Sequence, residues 1–223
     1  MRSADGASIA AFEAHAQTPS GAAVVVLPDV RGLYGFYKNL ASSFAAESID
    51  AIAIDYFARS DAGTDRSDDF DPWPHVQATD VDAVQADLQA AVLQLRELEH
   101  VERIYTVGFC FGGGHSFSAA AFDHGLAGVV GFYGKPYAEN QFYPSAIELT
   151  DRMECPVLGL FGGADNSISA DIIGQFDAEL GASKIEHELH TYDGAPHSFF
   201  DRSSAEWGDA CQDSWQRMLT FIK

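Results

Sequence analysis

The stretch that decides the fold lies at residues 104–118, which read Ile-Tyr-Thr-Val-Gly-Phe-Cys-Phe-Gly-Gly-Gly-His-Ser-Phe-Ser. The apolar run at its start is typical of a buried strand, and the small and apolar residues at 116–122 can continue as a buried helix. Between them, Gly108, Cys110 and Gly112 have the G-x-nucleophile-x-G spacing of a sharp strand-to-helix turn, with Cys in the usual place of Ser. Glycine suits the flanking positions because side chains there would collide in so tight a turn.

This turn would place Cys110 at the N-terminal end of a helix. Unpaired N–H groups and the helix dipole favour a thiolate at that position. The alternative is a buried free cysteine beside a glycine-rich turn, which is how most single cysteines occur. Because strand, turn and helix all fit the pattern, we predict that Cys110 is a nucleophile.

Apolar runs and helical repeats alternate along the rest of the chain. Strands are predicted at residues 22–27, 51–54, 104–107, 126–132, 157–161 and 185–192, with a short edge strand at 8–12. Helices are predicted at residues 34–48, 79–98, 116–122, 170–180 and 207–222. No repeat or linker divides the chain, so a single domain over residues 1–223 is expected. The alternation predicts an α/β fold with a mostly parallel central sheet and helices on both faces.

The composition excludes several classes of partner. The chain has 223 residues, is 47% hydrophobic and carries a net charge of −20 with only four lysines. Nucleic acids and anionic membranes require cationic patches, so neither is an expected partner. No run approaches the roughly 20 apolar residues of a membrane span, and no signal peptide is evident. The three cysteines are too few and odd in number to indicate a disulfide framework. We expect a cytoplasmic protein, monomeric or a small homo-oligomer, that acts on a small molecule.

A cysteine nucleophile requires a base, and the base requires a group that orients it. On this type of fold the order along the chain is nucleophile, acid, histidine. Asp165 follows the apolar run at 157–161, and His197 follows the last predicted strand, so both meet that order with Cys110. His115 lies next to the predicted nucleophile but is more typical of a packed residue. Cys110, Asp165 and His197 are therefore the predicted catalytic residues.

The loop after the strand at 22–27 is expected to complete the site. An oxyanion hole on this fold uses the backbone N–H after the nucleophile and a second one from that early loop. These N–H groups belong to Phe111 and Val30. Asp29 precedes Val30, and a carboxylate beside the thiol would tune the nucleophile; the alternative is an Asp that caps the turn.

A second acidic segment raises the possibility of a metal. Five aspartates fall within residues 56–75, at positions 61, 65, 68, 69 and 71. They lack the glycine and the closing glutamate of a calcium loop, so a solvated acidic loop is preferred and no metal is expected.

The motifs together resemble the dienelactone hydrolase family, a branch of the α/β-hydrolase fold. The resemblance covers nearly the whole chain and is carried by residues 26–32 (Val-Leu-Pro-Asp-Val-Arg-Gly), 54–59 (Ile-Asp-Tyr-Phe-Ala-Arg), 108–113 (Gly-Phe-Cys-Phe-Gly-Gly), 162–165 (Gly-Gly-Ala-Asp) and 194–199 (Gly-Ala-Pro-His-Ser-Phe). It implies a Cys-Asp-His triad, an acidic residue against the resting thiol at the position of Asp29, and hydrolysis of lactones and esters without a metal or organic cofactor.

Two positions depart from the family. Members place a carboxylate-binding Arg four residues after the catalytic His, where this chain has Asp201, followed by Arg202. A second such Arg, before the long helix, has only Arg66 as a counterpart. Arg31 and Arg202 are the remaining candidates for holding an anionic substrate, although each could instead pair with an Asp. We therefore expect neutral lactones and short esters to be preferred over carboxylated dienelactones.

Two other classes of protein are compatible with parts of this pattern. One is a non-catalytic member of the fold that binds a small molecule or a partner protein; an intact set of three catalytic residues argues against it. The other is a thiol redox protein, which the absence of a Cys-x-x-Cys pair disfavours.

Overall fold

The strands of the computed structural model, which describes residues 1–63, 66–67, 69–138 and 140–223, form one sheet. Their bounds are β1 Ala10–Ala14, β2 Ala22–Leu27, β3 Asp50–Asp55, β4 Arg103–Phe109, β5 Gly128–Phe132, β6 Val157–Gly162 and β7 His187–Tyr192. The helices are α1 Gly35–Ala46, α2 Trp73–Ala78, α3 Val81–Arg96, α4 Phe111–Ala119, α5 Ala170–Ala182 and α6 Gly208–Ile222. Short 3₁₀ turns span Tyr56–Arg59 and Ala146–Arg152.

The sheet has the order β1-β3-β2-β4-β5-β6-β7, and β1 alone among these strands runs antiparallel to its neighbour. The central strands are buried along their whole length, as the continuous apolar runs predict for strands covered on both faces. β7, at the edge, alternates between more and less exposed residues. The predicted α/β fold with a mostly parallel sheet is confirmed.

Helices cover both faces of this sheet. On one face α1 contacts α6, where the rings of Phe44 and Trp215 lie 5.1 Å apart. On the other face Phe117 of α4 packs on Phe176 of α5 at 5.2 Å, and Gln85 of α3 donates a hydrogen bond to the carbonyl of His115 in α4. The carboxyl ends of the parallel strands meet at one edge, where ligands bind in open sheets of this kind.

Three predicted elements differ from those observed. α4 begins at Phe111, directly after Cys110 as predicted, but it ends at Ala119 rather than at the predicted 122. A Cβ on Gly113 would lie 2.8 Å from the Phe132 carbonyl oxygen, so close packing here favours glycine over a better helix former. The edge strand lies at 10–14 rather than 8–12, and the predicted loop at 56–75 contains a 3₁₀ turn and the start of α2.

The acidic loop contains one described ion pair. Asp61 accepts a hydrogen bond from Arg66 at 2.7 Å, whereas Asp65 and Asp68 lie outside the described residues. Within the described ranges, no helix is long and apolar enough to cross a bilayer.

Candidate active site

The turn after β4 holds Cys110 in a strained backbone conformation. Its φ of 52° and ψ of −110° are unfavourable for a residue with a side chain. The Cys110 N–H donates to the Phe132 carbonyl at 3.0 Å, and the Gly112 N–H donates to the Pro28 carbonyl at 3.1 Å. A Cβ on Gly108 would lie 2.0 Å from the Gly112 oxygen, so the turn closes only with glycine there. Neighbouring strands thus fix this turn from both sides.

Asp165 and His197 lie in the loops after β6 and β7 and meet beside Cys110. The His197 Nδ1 hydrogen-bonds to Asp165 Oδ2 at 2.5 Å, and the Cys110 thiol lies close enough to the imidazole to raise its pKa. The second Asp165 oxygen accepts from the N–H and hydroxyl of Ser167, at 2.8 and 2.6 Å. The Asp165 side chain is 1% exposed and that of His197 is 31% exposed, so the imidazole is reachable from solvent while its carboxylate partner is not.

The electrostatics of this group favour an ion pair. Burial disfavours the charged imidazole, but hydrogen bonds to Asp165 and Cys110 outweigh it and raise the pKa of His197 to about 10. Burial likewise opposes ionisation of Asp165, yet hydrogen bonds from His197 and Ser167 hold its pKa below the ordinary value. The His197 imidazolium and the Asp165 carboxylate therefore form an ion pair next to Cys110.

The other two thiols are in less reactive surroundings. Cys155 is buried, and burial with the neighbouring Glu154 raises its pKa to about 12. The Cys211 thiol donates to the Phe199 carbonyl at 3.3 Å, and burial raises its pKa as well, with a contribution from Asp201.

The loop at residues 28–32 is held close to the turn of Cys110. The Tyr56 hydroxyl donates to the carbonyls of Pro28 and Asp29, and the Asp29 N–H donates to the Tyr37 hydroxyl at 3.0 Å. In the described hydrogen-bond network, the N–H groups of Val30 and Phe111 have no acceptor. Both predicted oxyanion donors therefore remain available beside the nucleophile.

Asp29, Arg31 and Asp201 form a charged cluster, called here the acid–arginine cluster. The Arg31 guanidinium donates to both oxygens of Asp29, with Nε at 2.9 and 3.1 Å, and its Nη2 also bonds to Asp201. The two carboxylate side chains are each 2% exposed, and that of Arg31 is 24% exposed. The Tyr34 ring stacks on Arg31 at 4.1 Å, and its hydroxyl donates to Asp201 at 3.4 Å.

This cluster changes the expected role of several charged residues. The described contacts of the Asp29 carboxylate go to Arg31 rather than to the Cys110 thiol. Arg31 is already paired with two carboxylates, so it is not an unpaired cation, and the side chain of Asp201 is buried. Arg202 is exposed and donates only its backbone N–H to Asp201 among the described contacts. Arg66 is buried and paired with Asp55 and Asp61.

Some residues that build the site have little signal in the sequence. Ser167 orients Asp165, and its position two residues later is the spacing at which an Asp side chain closes a turn on the backbone. Tyr37 and Tyr56, by contrast, are indistinguishable from core aromatics in the sequence, because their hydroxyls find partners only when distant segments meet.

The site around Cys110 was compared with candidate metal sites and with the surface crevices of the described residues. In the described part of the chain, no group of three or more His, Cys, Asp or Glu side chains is placed to hold a metal ion. A surface crevice of about 720 Å³ between β7 and α6, lined by residues such as Tyr192 and Trp207, shares no residue with the site around Cys110.

Comparison with known proteins points to one family. The sequence model described as the dienelactone hydrolase family matches residues 9–223. A carboxymethylenebutenolidase of Rhodococcus opacus is 29% identical, over 95% of this chain and 84% of that protein. A Saccharolobus solfataricus protein given the same name provisionally is 28% identical, over 98% of this chain and 95% of its own length.

A solved structure shows the same fold. A provisionally named dienelactone hydrolase of Klebsiella pneumoniae superposes with a TM-score of 0.83 at 24% sequence identity, covering 96% of this chain and 98% of that one.

Proposed function

Because the chain belongs to the dienelactone hydrolase family, we propose that it cleaves lactones or carboxylic esters through Cys110 as nucleophile, with an acyl-enzyme intermediate. The observation that carries this proposal is the His197–Asp165 hydrogen bond next to Cys110, which stands on a strained turn and raises the pKa of His197. The N–H groups of Val30 and Phe111 have no acceptor among the described residues. Nucleophile, base, orienting acid and oxyanion donors are the parts that acyl transfer requires.

The reaction proceeds in two halves. The Cys110 sulfur attacks the carbonyl carbon, and the carbonyl oxygen takes up negative charge that the Val30 and Phe111 N–H groups stabilise. The carbon–oxygen bond of the ester then breaks, and the leaving oxygen receives the proton held by His197. In the second half His197 removes a proton from water, which attacks the thioester, and the sulfur leaves as the acid is released. Asp165 keeps the imidazole oriented throughout.

Asp29 is proposed to tune the nucleophile through its charge. The acid–arginine cluster has two carboxylates and one guanidinium, so with both carboxylates ionised it carries one net negative charge, which would oppose a thiolate at Cys110. Asp29→Asn is therefore expected to shift the pH dependence of Cys110 alkylation towards lower pH. An unchanged alkylation profile would indicate that Asp29 has only a structural role, which is to hold the turn through its hydrogen bonds to Arg31.

The cluster also supports a preference for neutral substrates. A substrate carboxylate would find Arg31 already engaged by two buried carboxylates, and would have to compete with them or meet their repulsion. Arg202 is exposed, where an ion pair is worth little.

Turnover of a short aryl ester tests the proposed function. The wild-type protein is expected to hydrolyse it, and Cys110→Ala to lose on the order of 10⁴-fold in kcat or more. Cys155→Ala and Cys211→Ala are matched controls that remove a thiol elsewhere and should keep activity. Mass spectrometry should detect the acyl group on Cys110 alone. Equal losses in all three variants, or none in Cys110→Ala, would contradict the assignment.

A non-catalytic binding role is the second candidate. It would be favoured if the wild-type protein bound such esters but released no product.

A further inference from the structure

Tyr133 follows β5 directly and lies against the turn that carries Cys110. The preceding residue, Phe132, accepts the Cys110 N–H through its carbonyl, and the Tyr133 N–H donates to the Leu160 carbonyl of β6 at 2.8 Å. The φ of Tyr133 is 39°, a left-handed conformation that is unfavourable for an aromatic residue. Backbone strain of this kind persists only where the surrounding structure holds the residue in place, and it is concentrated at active sites and ligand-binding positions.

The Tyr133 side chain is enclosed by the site. The residue is 1% exposed, and its ring packs on the His197 imidazole at 5.0 Å and on the Phe199 ring at 5.6 Å. Within the described residues, its hydroxyl is buried without any hydrogen-bond partner. The neighbouring hydroxyls of Tyr37 and Tyr56 are also buried, but both are hydrogen-bonded to the loop at 28–32.

The charges that face the Tyr133 hydroxyl belong to the active site. Burial is the main cause that raises its pKa well above the ordinary value, followed by Asp201, Cys110 and Asp29. The phenol therefore stays protonated and can donate a hydrogen bond. A buried donor without an acceptor costs folding free energy, and a catalytic role is one reason for which proteins keep such a group.

Resting on the hydrolase activity proposed above, we propose that the Tyr133 hydroxyl donates a hydrogen bond to the leaving oxygen of the scissile ester or lactone bond. The carbonyl oxygen already has two donors, the Val30 and Phe111 N–H groups. Tyr133 instead packs on His197, the residue that delivers the proton to the leaving oxygen. As the carbon–oxygen bond breaks, the proton comes from His197, while Tyr133 keeps its own proton and stabilises the growing charge.

The dependence of rate on leaving group distinguishes this role from a structural one. A nitrophenolate leaves readily without assistance, whereas the alkoxide of an alkyl ester requires it. Tyr133→Phe removes only the hydroxyl oxygen and should lower kcat/KM for a methyl or ethyl ester about 10- to 100-fold. For the nitrophenyl ester of the same acid, the loss should stay below about 3-fold. The Tm should be unchanged or higher, because the substitution removes an unpaired buried polar group.

Tyr37→Phe is the matched control, since it deletes another fully buried hydroxyl that has a partner. It should lower the Tm by roughly 2–6 °C, because the Asp29 N–H loses its acceptor, and affect both esters alike. Equal losses on both esters in Tyr133→Phe, no loss on either, or a lowered Tm would overturn the inference. A wild-type protein inactive on both esters would instead overturn the proposed function, and the inference with it.

Discussion

His197 is the residue on which the electrostatics of the site depend. Its imidazolium is held between the Asp165 carboxylate and the Cys110 sulfur, so the proton is bound more tightly in the folded chain than in the unfolded one. A group whose pKa is raised on folding stabilises the fold fully below its unfolded pKa and loses that contribution as the pH rises through the folded value. For His197 this window runs from the ordinary 6.5 to about 10.

The contribution of His197 to the free energy of unfolding should therefore decrease as the pH rises from 6.5 to about 10. We expect the difference in free energy of unfolding between the wild type and His197→Gln to shrink as the pH rises from 6.5 to about 10. At the acid end, Asp165 has a lowered pKa, so its contribution is lost only as the pH falls below the ordinary 3.8. Urea unfolding at intervals of pH measures both effects. A difference that stays constant from neutral to alkaline pH would contradict the ion pair.

At the scale of single residues, the sequence predicts which residues gather at the site but not all of the contacts between them. Cys110, Asp165 and His197 each follow a strand, and parallel strands bring their carboxyl ends together, so the sequence predicts their neighbourhood. The pairing of Arg31 with Asp201 joins residues 170 positions apart, and no local pattern encodes it. The unpaired hydroxyl of Tyr133 is likewise a property of the packed interior, because any tyrosine after a strand has the same sequence signal.

Among the elements, the turn between β4 and α4 has the tightest packing at the site. A Cβ on Gly112 would lie 2.2 Å from the Leu27 oxygen and 2.4 Å from the Pro28 oxygen, both backbone atoms that cannot move aside cheaply. The contrast is Gly174 in α5, where an added Cβ meets nothing within 4 Å. Glycine is thus required at the first position and incidental at the second.

Replacing each glycine by alanine separates these two cases. Gly112→Ala should destabilise the protein by about 3 kcal/mol or more and abolish ester turnover, because the clash is with backbone. Gly174→Ala should stabilise it by about 0.5–1 kcal/mol at unchanged activity, because alanine is the better helix former. Denaturant unfolding and an ester assay on the same preparations measure both. A stable, active Gly112→Ala protein would show that the turn is looser than its geometry implies.

The same turn explains which element boundaries the sequence predicts poorly. Three successive glycines at 112–114 suggest a turn by propensity, yet they form the first part of α4 because the sheet lies too close for side chains. β2 and β6, by contrast, are continuous apolar runs whose observed bounds lie within one residue of those predicted.

For the whole molecule, charge sets which ligands approach. The net charge of −20 repels anions within roughly a Debye length, about 8 Å at physiological salt. With both of its carboxylates ionised, the acid–arginine cluster adds one net negative charge. The net charge of the molecule and the local charge of the cluster therefore both disfavour the binding of anionic substrates.

A paired assay of a neutral lactone and its carboxylated analogue measures this effect. We expect kcat/KM for the neutral lactone to be higher by about 10-fold or more at low salt, and added salt to narrow the gap by screening. Arg202→Ala should leave the ratio nearly unchanged, because that side chain is exposed. The opposite outcome is a preference for the carboxylated lactone that disappears in Arg31→Ala or Arg202→Ala. It would contradict this prediction and support the anionic substrate that the family resemblance implies.

The acid–arginine cluster also bears on how this branch of the family can have diverged. If an ancestor had Arg at position 201, acquiring Asp there before Arg31 would have buried two carboxylates with no cation between them. Acquiring Arg31 first would have crowded two guanidinium groups around Asp29. Either order would pass through a less stable intermediate, so we expect the residues at positions 31 and 201 to covary among relatives.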